Sequence, residues 1–174
     1  MKFRSALIVM MLAAACASTQ QPGKLTDPQI AMVMRVVNLS EVREGELARD
    51  KAAGTAVRDF AQTMINEHDA QNNKAEAALS AKDINSEDTA LSRQLDAASG
   101  AAADRLRALS GAAFDRAYMD REVEAHQNAL NLIDTKLMPN ARNKLVKQQL
   151  TALRTLVETH LTRAKQIQAS LPAA

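Results

Sequence analysis

The chain has very few cysteines and aromatic residues, and both shortages limit how it can be stabilised. Of its 174 residues, one is cysteine, three are phenylalanine, one is tyrosine and none is tryptophan. A single cysteine cannot form an intramolecular disulfide, so packing must hold the fold together. The apolar residues that remain are Ala, Leu, Val, Ile and Met, and several of these favour helices. With little alternation of strand type, the sequence predicts an all-α protein.

The single cysteine, Cys16, follows a short apolar leader. Lys2 and Arg4 precede an apolar run over residues 6–15. A basic start, an apolar stretch of about ten residues and a small-residue exit are typical of a secretory signal, and the stretch is too short to span a bilayer. We therefore expect residues 1–15 to be a signal peptide and the protein to be exported.

Residues 12–16, Leu-Ala-Ala-Ala-Cys, resemble a bacterial lipobox, in which the cysteine becomes the lipidated N-terminus. The match is imperfect, because Ala13 stands where the pattern prefers Leu, Val or Ile. The alternative is ordinary cleavage after Ala17, which leaves Ser18 as the first mature residue. Lipidation of Cys16 predicts a membrane anchor. Since Ala17 and not Asp follows the cysteine, the expected location is the periplasmic side of a Gram-negative outer membrane.

Removal of the leader also removes the excess of positive charge. The whole chain has 22 Lys and Arg against 20 Asp and Glu. Without Lys2 and Arg4 the count is 20 against 20. A balanced surface gives no electrostatic support for binding nucleic acid, which needs a basic face, so we expect no nucleic-acid partner.

The pattern after the leader predicts an antiparallel four-helix bundle with an extra helical segment between helices two and three. Residues 16–26 form a polar tether and residues 27–171 form the bundle. Asp27 is the expected N-cap of the first helix, with Pro28 at its first position. The other expected boundaries are a break near Ala53-Gly54, an end of helix two at 82–85, a cap at 86–88, a third helix from Ser110 to Pro139 and a fourth over 141–171.

Three histidines lie on the apolar faces of three different predicted helices. His68 belongs to the second helix, His126 to the third and His160 to the fourth. Metal sites in bundles are assembled from side chains on facing helices, and the first helix can add Glu41 or Glu44. Three imidazoles and a carboxylate can bind zinc, or another divalent ion such as copper or iron.

Counting residues along the helices predicts the height of each histidine. His68 and His126 each lie about 14 residues from the end that joins their helices, so they meet at one height, with Glu41 within about one turn. His160 is predicted to be offset by ~10 Å unless the last connection is long or tilted. The alternative to a metal is a hydrogen-bonded network among the same side chains.

No catalytic residues can be named from the sequence. A carboxylate-bridged di-iron centre needs Glu-x-x-His motifs, but the residues three before the histidines are Ile65, Val123 and Val157. The sequence also has no glycine-rich phosphate loop and no nucleophile motif. We therefore expect no enzyme activity and no organic cofactor.

Several short motifs occur in a familiar order along the chain. They are Asn38-Leu39-Ser40-Glu41-Val42, Val57-Arg58-Asp59-Phe60-Ala61, Met64-Ile65 with His68, Phe114-Asp115 with Tyr118, His126 with Leu130 and Ile133, and His160-Leu161. This series resembles a bacterial exported family of unknown function, often labelled predicted outer membrane proteins, over roughly 27–171. The resemblance implies a ferritin-like bundle with Glu41, His68, His126 and His160 as recurring polar positions, and it implies no activity.

Two functions are therefore expected. One is a lipid-anchored envelope protein that binds or buffers a divalent metal through Glu41, His68, His126 and His160, with redox or stress protection as its role. The other is a structural or partner-binding envelope protein whose histidines are only hydrogen-bonded. Either protein can form homo-oligomers, and neither function identifies a protein partner.

Replacement of the cysteine tests the anchor. Cys16→Ala should abolish membrane retention and release a soluble form, because the acyl attachment point is lost. Fractionation of cells and N-terminal sequencing of the mature protein check this. If the wild-type protein is already soluble and begins at Ser18, Cys16 is not lipidated.

Overall fold

The computed structural model describes residues 24–172, and its secondary structure is entirely helical within that range. The predicted signal peptide, Cys16 and most of the predicted tether lie outside the described residues. The helices are α1 (Asp27–Lys51), α2 (Thr55–Ser80), α3 (Ala90–Arg107), α4 (Gly111–Leu132), a π-helical segment (Ile133–Leu137), α5 (Met138–Asn140) and α6 (Lys144–Ser170). None of these described helices has the length and apolarity needed to cross a bilayer. The predicted all-α class is confirmed.

Helix α1 starts where the sequence predicts, but its cap is a different residue. Thr26 is the N-cap, and its hydroxyl accepts from the Gln29 backbone N–H at 3.3 Å while the Thr26 N–H donates to Gln29 Oε1 at 3.1 Å. This reciprocal capping box satisfies two donors, which makes Thr26 a better cap than Asp27. The Asp27 carboxylate instead accepts from the N–H groups of Arg142 and Asn143, at 2.9 and 3.0 Å.

The segment between α2 and α4 also differs from the expected boundaries. Helix α2 ends at Ser80, slightly before the expected 82–85. One helix, α3, follows, and its cap is Thr89, which forms a capping box with Ser92, not the expected 86–88. Gly100 lies inside α3. The reciprocal bonds again explain the choice of cap, since they satisfy donors of the first turn.

Pro139 does not end the third long helix at the expected residue. The chain widens into the π-helical segment, where the Met138 N–H donates to the Ile133 carbonyl five residues back, and then makes the short turn α5. Proline lacks an N–H and clashes with the carbonyl four residues before it, and a wider turn relieves this. Helix α6 starts at Lys144, after the expected Ala141, and Asn143 caps it through Leu145 N at 2.8 Å.

Hydrogen bonds at the two ends define the path of the chain. At one end, the Ala53 and Gly54 N–H groups, which join α1 to α2, donate to Asp115 near the start of α4. At the other end, Asp27 binds the connection before α6. Helices α1 and α6 therefore run one way and α2 and α4 run the other. Helix α3 brings the chain back between the parallel α2 and α4, and it packs on α1.

The interior is divided into two apolar clusters with polar residues between them. One cluster includes Ile30, Met34, Leu79, Ile133, Leu150 and Val157. The other includes Val57, Phe60, Met64, Phe114, Tyr118 and Ile167. On each long helix, buried polar residues fall between the two clusters, and we call them the polar layer: Asn38, Glu41, Glu44, His68, Glu122, His126 and His160.

Two glycines provide a paired test of this packing. At Gly45 of α1 an added Cβ would lie 3.0 Å from the Ala61 carbonyl oxygen and 3.1 Å from Ile65 Cγ1, whereas at Gly100 nothing lies within 4 Å. Gly45→Ala should therefore destabilise the protein by about 1–3 kcal/mol through overpacking. Gly100→Ala should stabilise it by about 0.5–1 kcal/mol through helix propensity. Chemical denaturation measures both, and equal effects would contradict the close α1–α2 contact.

Candidate metal centre

The three predicted histidines meet in the polar layer. Their ring centroids lie 5.0 Å apart for His68 and His160, 5.6 Å for His126 and His160, and 5.8 Å for His68 and His126. One ring nitrogen of each lies within 4.8 Å of the others. Each of the three residues is at most 2 % exposed, so all three are shielded from bulk solvent.

The expected ~10 Å offset of His160 is wrong. His160 lies 16 residues after the first residue of α6, and His126 lies 14 residues before the end of α5. The two therefore differ by about two residues, or ~3 Å of helix rise. The expectation failed because residues 141–143 form a non-helical connection while the preceding helical path continues through Pro139.

Each imidazole is held by a hydrogen bond on its outer side. His68 Nδ1 donates to Asn38 Oδ1 at 2.9 Å, and His126 Nδ1 donates to the Glu122 backbone carbonyl at 2.9 Å. His160 Nε2 donates to Glu67 Oε2 at 2.8 Å. All three partners are oxygen acceptors, so these ring nitrogens carry the hydrogens. In the neutral rings, the lone pairs are then on His68 Nε2, His126 Nε2 and His160 Nδ1.

Two of these lone pairs face each other directly. His160 Nδ1 lies 3.1 Å from His68 Nε2. Two unprotonated nitrogens at this distance repel unless a proton or a metal ion lies between them. His126 Nε2 is buried without a hydrogen-bond partner among the described residues.

Burial keeps the three rings neutral. It lowers the pKa of His68 well below its ordinary value, and the two neighbouring histidines lower it further. Burial lowers the pKa of His126 to about 4. The pKa of His160 is also lowered by burial, although the hydrogen bond to Glu67 opposes the shift. Neutral imidazole is the form that binds metal, so these shifts keep the lone pairs available near neutral pH.

The two candidate glutamates on α1 have different surroundings. Glu44 forms a bidentate ion pair with Arg121, at 2.9 and 3.0 Å, and accepts from Ser99 at 2.9 Å. Glu41 lies with Glu122 and His126 in a second group whose ligand atoms are within 4.8 Å of one another. Both glutamates are buried, but Glu41 is the one close to a histidine nitrogen, and it groups with His126 and not with His68 and His160.

Glu122 is the site residue that the sequence did not identify as a ligand. It lies on the inward face of α4, where it is fully buried. Burial raises its pKa well above the ordinary value, and the charges of Glu41 and Glu44 raise it further. Burial also raises the pKa of Glu41. The available signal was the four-residue spacing between Glu122 and His126, which places both side chains on one face.

A surface groove reaches His160, one of the three histidines. It has a volume of about 440 Å³, runs between α2 and α6, and is lined by residues that include Phe60, Glu67, Thr159, His160 and Arg163. The half-exposed Glu67 side chain lies at its edge and binds the buried His160. A small ion can therefore approach the cluster from this side.

Comparisons with known proteins identify a family and one similar structure. Residues 12–167 match the family described as a domain of unknown function, DUF4142. The crystal structure of a candidate secreted protein, DUF305, from Streptomyces coelicolor is similar, with a TM-score of 0.68 and 15% sequence identity over 82% of this chain and 91% of that chain. At this identity the likeness shows the fold alone. No curated protein matches the sequence.

The lowered pKa of His126 predicts a pH dependence of stability. Between pH 6.5 and about 4 the unfolded chain binds a proton that the folded chain does not, so the stability that is present above this range is lost as the pH falls through it. His126 should contribute about 3 kcal/mol to this loss. In chelator-treated protein, His126→Gln should make the free energy of unfolding less dependent on pH. The raised pKa of Glu122 changes stability with pH in the opposite direction, and it does so equally in the wild-type protein and in His126→Gln. If the pH slope is the same in both proteins, the loss of stability is not due to His126.

Proposed function

Since the chain belongs to the DUF4142 family, whose description assigns no activity, we propose a function from the site: an exported, lipid-anchored envelope protein that binds a divalent metal ion. The ligands are His68, His126 and His160, and Glu41 is the fourth, carboxylate, ligand on the His126 side. Zinc and copper bind to three imidazole nitrogens more favourably than to oxygen ligands. We propose metal buffering close to the membrane as the role.

The observation that supports metal binding is the direction of the ring hydrogens. Metal-binding histidines typically donate their other N–H to a carboxylate or a carbonyl, which fixes the tautomer and the ring orientation. Asn38, the Glu122 carbonyl and Glu67 fill this role for the three rings. The remaining nitrogens point into one space, where zinc–nitrogen bonds of ~2.0–2.1 Å would replace the repulsion between lone pairs.

The path of the chain supports a ferritin-like four-helix bundle. In such bundles one long crossover connection joins two parallel helices. Helix α3 lies in such a connection between α2 and α4. In this proposal α1, α2, α4 and α6 form the bundle and α3 is the extra helical segment.

The proposed location follows from the leader. Residues 1–15 direct export, Cys16 carries the lipid, and the tether to Thr26 spans at most ~35 Å. The bundle would therefore remain next to the outer membrane, on its periplasmic side. Loss of the tether would not change metal affinity, because no ligand lies within it.

A structural role without metal is the second candidate, and one contact favours it. A single proton between His160 Nδ1 and His68 Nε2, 3.1 Å apart, would form an ordinary hydrogen bond. Glu67 would then stabilise a charged His160 ring. This network leaves His126 Nε2 without a partner among the described residues, which is why we favour the metal.

Zinc titration of untagged protein tests the proposal. Zinc at 100 times its Kd should stabilise the wild-type fold by about 2.7 kcal/mol, because it binds only the folded state. The double variant His68→Ala with His126→Ala should lose this shift in melting temperature. Asp69→Asn is the matched control, since Asp69 is exposed beside His68 on α2. A double variant that keeps the full shift would exclude these histidines as ligands.

A further inference from the structure

Several buried polar atoms around Glu122 have no hydrogen-bond partner among the described residues. They are Glu41 Oε2, both carboxyl oxygens of Glu122, the Tyr118 hydroxyl and His126 Nε2. All four side chains are at most 5 % exposed. Buried polar atoms are nearly always hydrogen-bonded, and leaving one unpaired costs ~1–3 kcal/mol. Such a concentration of unpaired atoms indicates that something else binds there.

The buried charged groups around Glu122 indicate what kind of ligand would bind there. Glu41, Glu44 and Glu122 are all buried in this region, and Arg121 is the cation that the described residues place against them. Arg121 pairs with Glu44 through both carboxylate oxygens. Glu41 and Glu122 therefore have no paired cation, and an unpaired buried carboxylate is strongly unfavourable. Without a cation, buried carboxyl groups of this kind bind protons. A divalent cation would displace these protons and balance the charges of the two carboxylates.

We propose that Glu41 and Glu122 bind a second metal ion next to the three-histidine site, so that the protein has a two-metal centre with His126 at the border. The cation is a hard divalent ion such as Mn²⁺ or Fe²⁺, because such ions favour carboxylate oxygens. Tyr118 is a positioning residue, whose buried hydroxyl would donate to the Glu122 carboxylate once a cation keeps that carboxylate ionised. This inference deepens the proposed function and rests on it for the neighbouring ion. Glu41 would be shared by the two ions, whereas Glu122 would bind the second ion alone.

A second groove gives this position its own access. It has a volume of about 220 Å³ and lies between α1, α3 and α4, and its lining includes Ser40, Glu41, Ser99, Arg121 and Asn128. The histidine groove opens between α2 and α6, on other helices. A cation can therefore reach Glu41 without passing the three histidines.

Sequential loading with zinc and manganese tests the inference. Untagged, chelator-treated protein is given one equivalent of zinc and then Mn²⁺, and both metals are counted by elemental analysis after desalting. Electron paramagnetic resonance measures free and bound Mn²⁺. We expect one zinc and one manganese per chain in the wild-type protein.

Three variants assign the second position. Glu122→Gln should retain zinc and weaken Mn²⁺ binding at least tenfold, and its neutral amide reduces buried charge, which favours folding. Glu124→Gln is the matched control, because Glu124 is exposed on the same helix, and it should bind both metals. Tyr118→Phe should weaken Mn²⁺ binding less than Glu122→Gln does, and it should broaden the bound Mn²⁺ spectrum.

The outcomes separate the two proposals. Wild-type protein that binds zinc but no Mn²⁺ would overturn the second site and leave the first, and it would indicate that Glu41 and Glu122 share a proton. Equal Mn²⁺ binding by wild-type and Glu122→Gln would also overturn the second site. If His68→Gln loses zinc but retains Mn²⁺, both positions are supported. Mn²⁺ bound through Glu122 in a protein that binds no zinc would support the second site and contradict the first.

Discussion

The cost of removing ionisable groups from water is the constraint on which this structure depends. Seven polar residues lie in one layer between two apolar clusters, so their hydration must be replaced by contacts inside the protein. Some of the replacements are present, such as the bidentate pair of Arg121 with Glu44. The candidate site consists of the buried polar side chains whose lost hydration is not fully replaced by hydrogen bonds and ion pairs within the protein.

The two sides of the polar layer contain different kinds of side chain. On the side of α2 and α6, imidazoles are anchored through their outer N–H groups, and their inner nitrogens are free to bind. On the side of α1 and α4, carboxyl groups are buried with less compensation. His126 lies between these two sides. Its ring is beside those of His68 and His160, and its Nδ1 donates to the carbonyl of Glu122 on its own helix. The polar atoms of the layer therefore change from imidazole nitrogens to carboxyl oxygens across one side chain.

Much of the fold was predictable from local spacing. The sequence pattern placed His68, His126 and His160 on the apolar faces of their helices, and all three residues are buried. His68 and His126 meet as predicted, but the count to a shared helix end was wrong, because α2 and α4 run parallel with α3 between them. The two residues meet because each lies 13–15 residues after the first residue of its own helix, and a helix has a fixed rise.

What could not be predicted depends on contacts between distant segments. The height of His160 depended on where α6 begins and on a π-helical segment, which no periodic pattern reveals. Asn38 and Glu67 contact their histidines across 30 and 93 positions of sequence, so nothing local identifies them as partners. Glu122 lacked the Glu-x-x-His spacing that is expected of a di-iron ligand, and only its burial beside Glu41 gives it significance.

The division of the interior also determines which alignment of the helices is allowed. In a uniformly apolar bundle, one helix can slide along another by a turn, ~5.4 Å, and still bury leucine against leucine. Here the same slide would move polar side chains of the layer against an apolar cluster, with each unpaired polar group costing ~1–3 kcal/mol. We infer that the polar layer fixes how the four long helices align along their axes, whether or not a metal is bound.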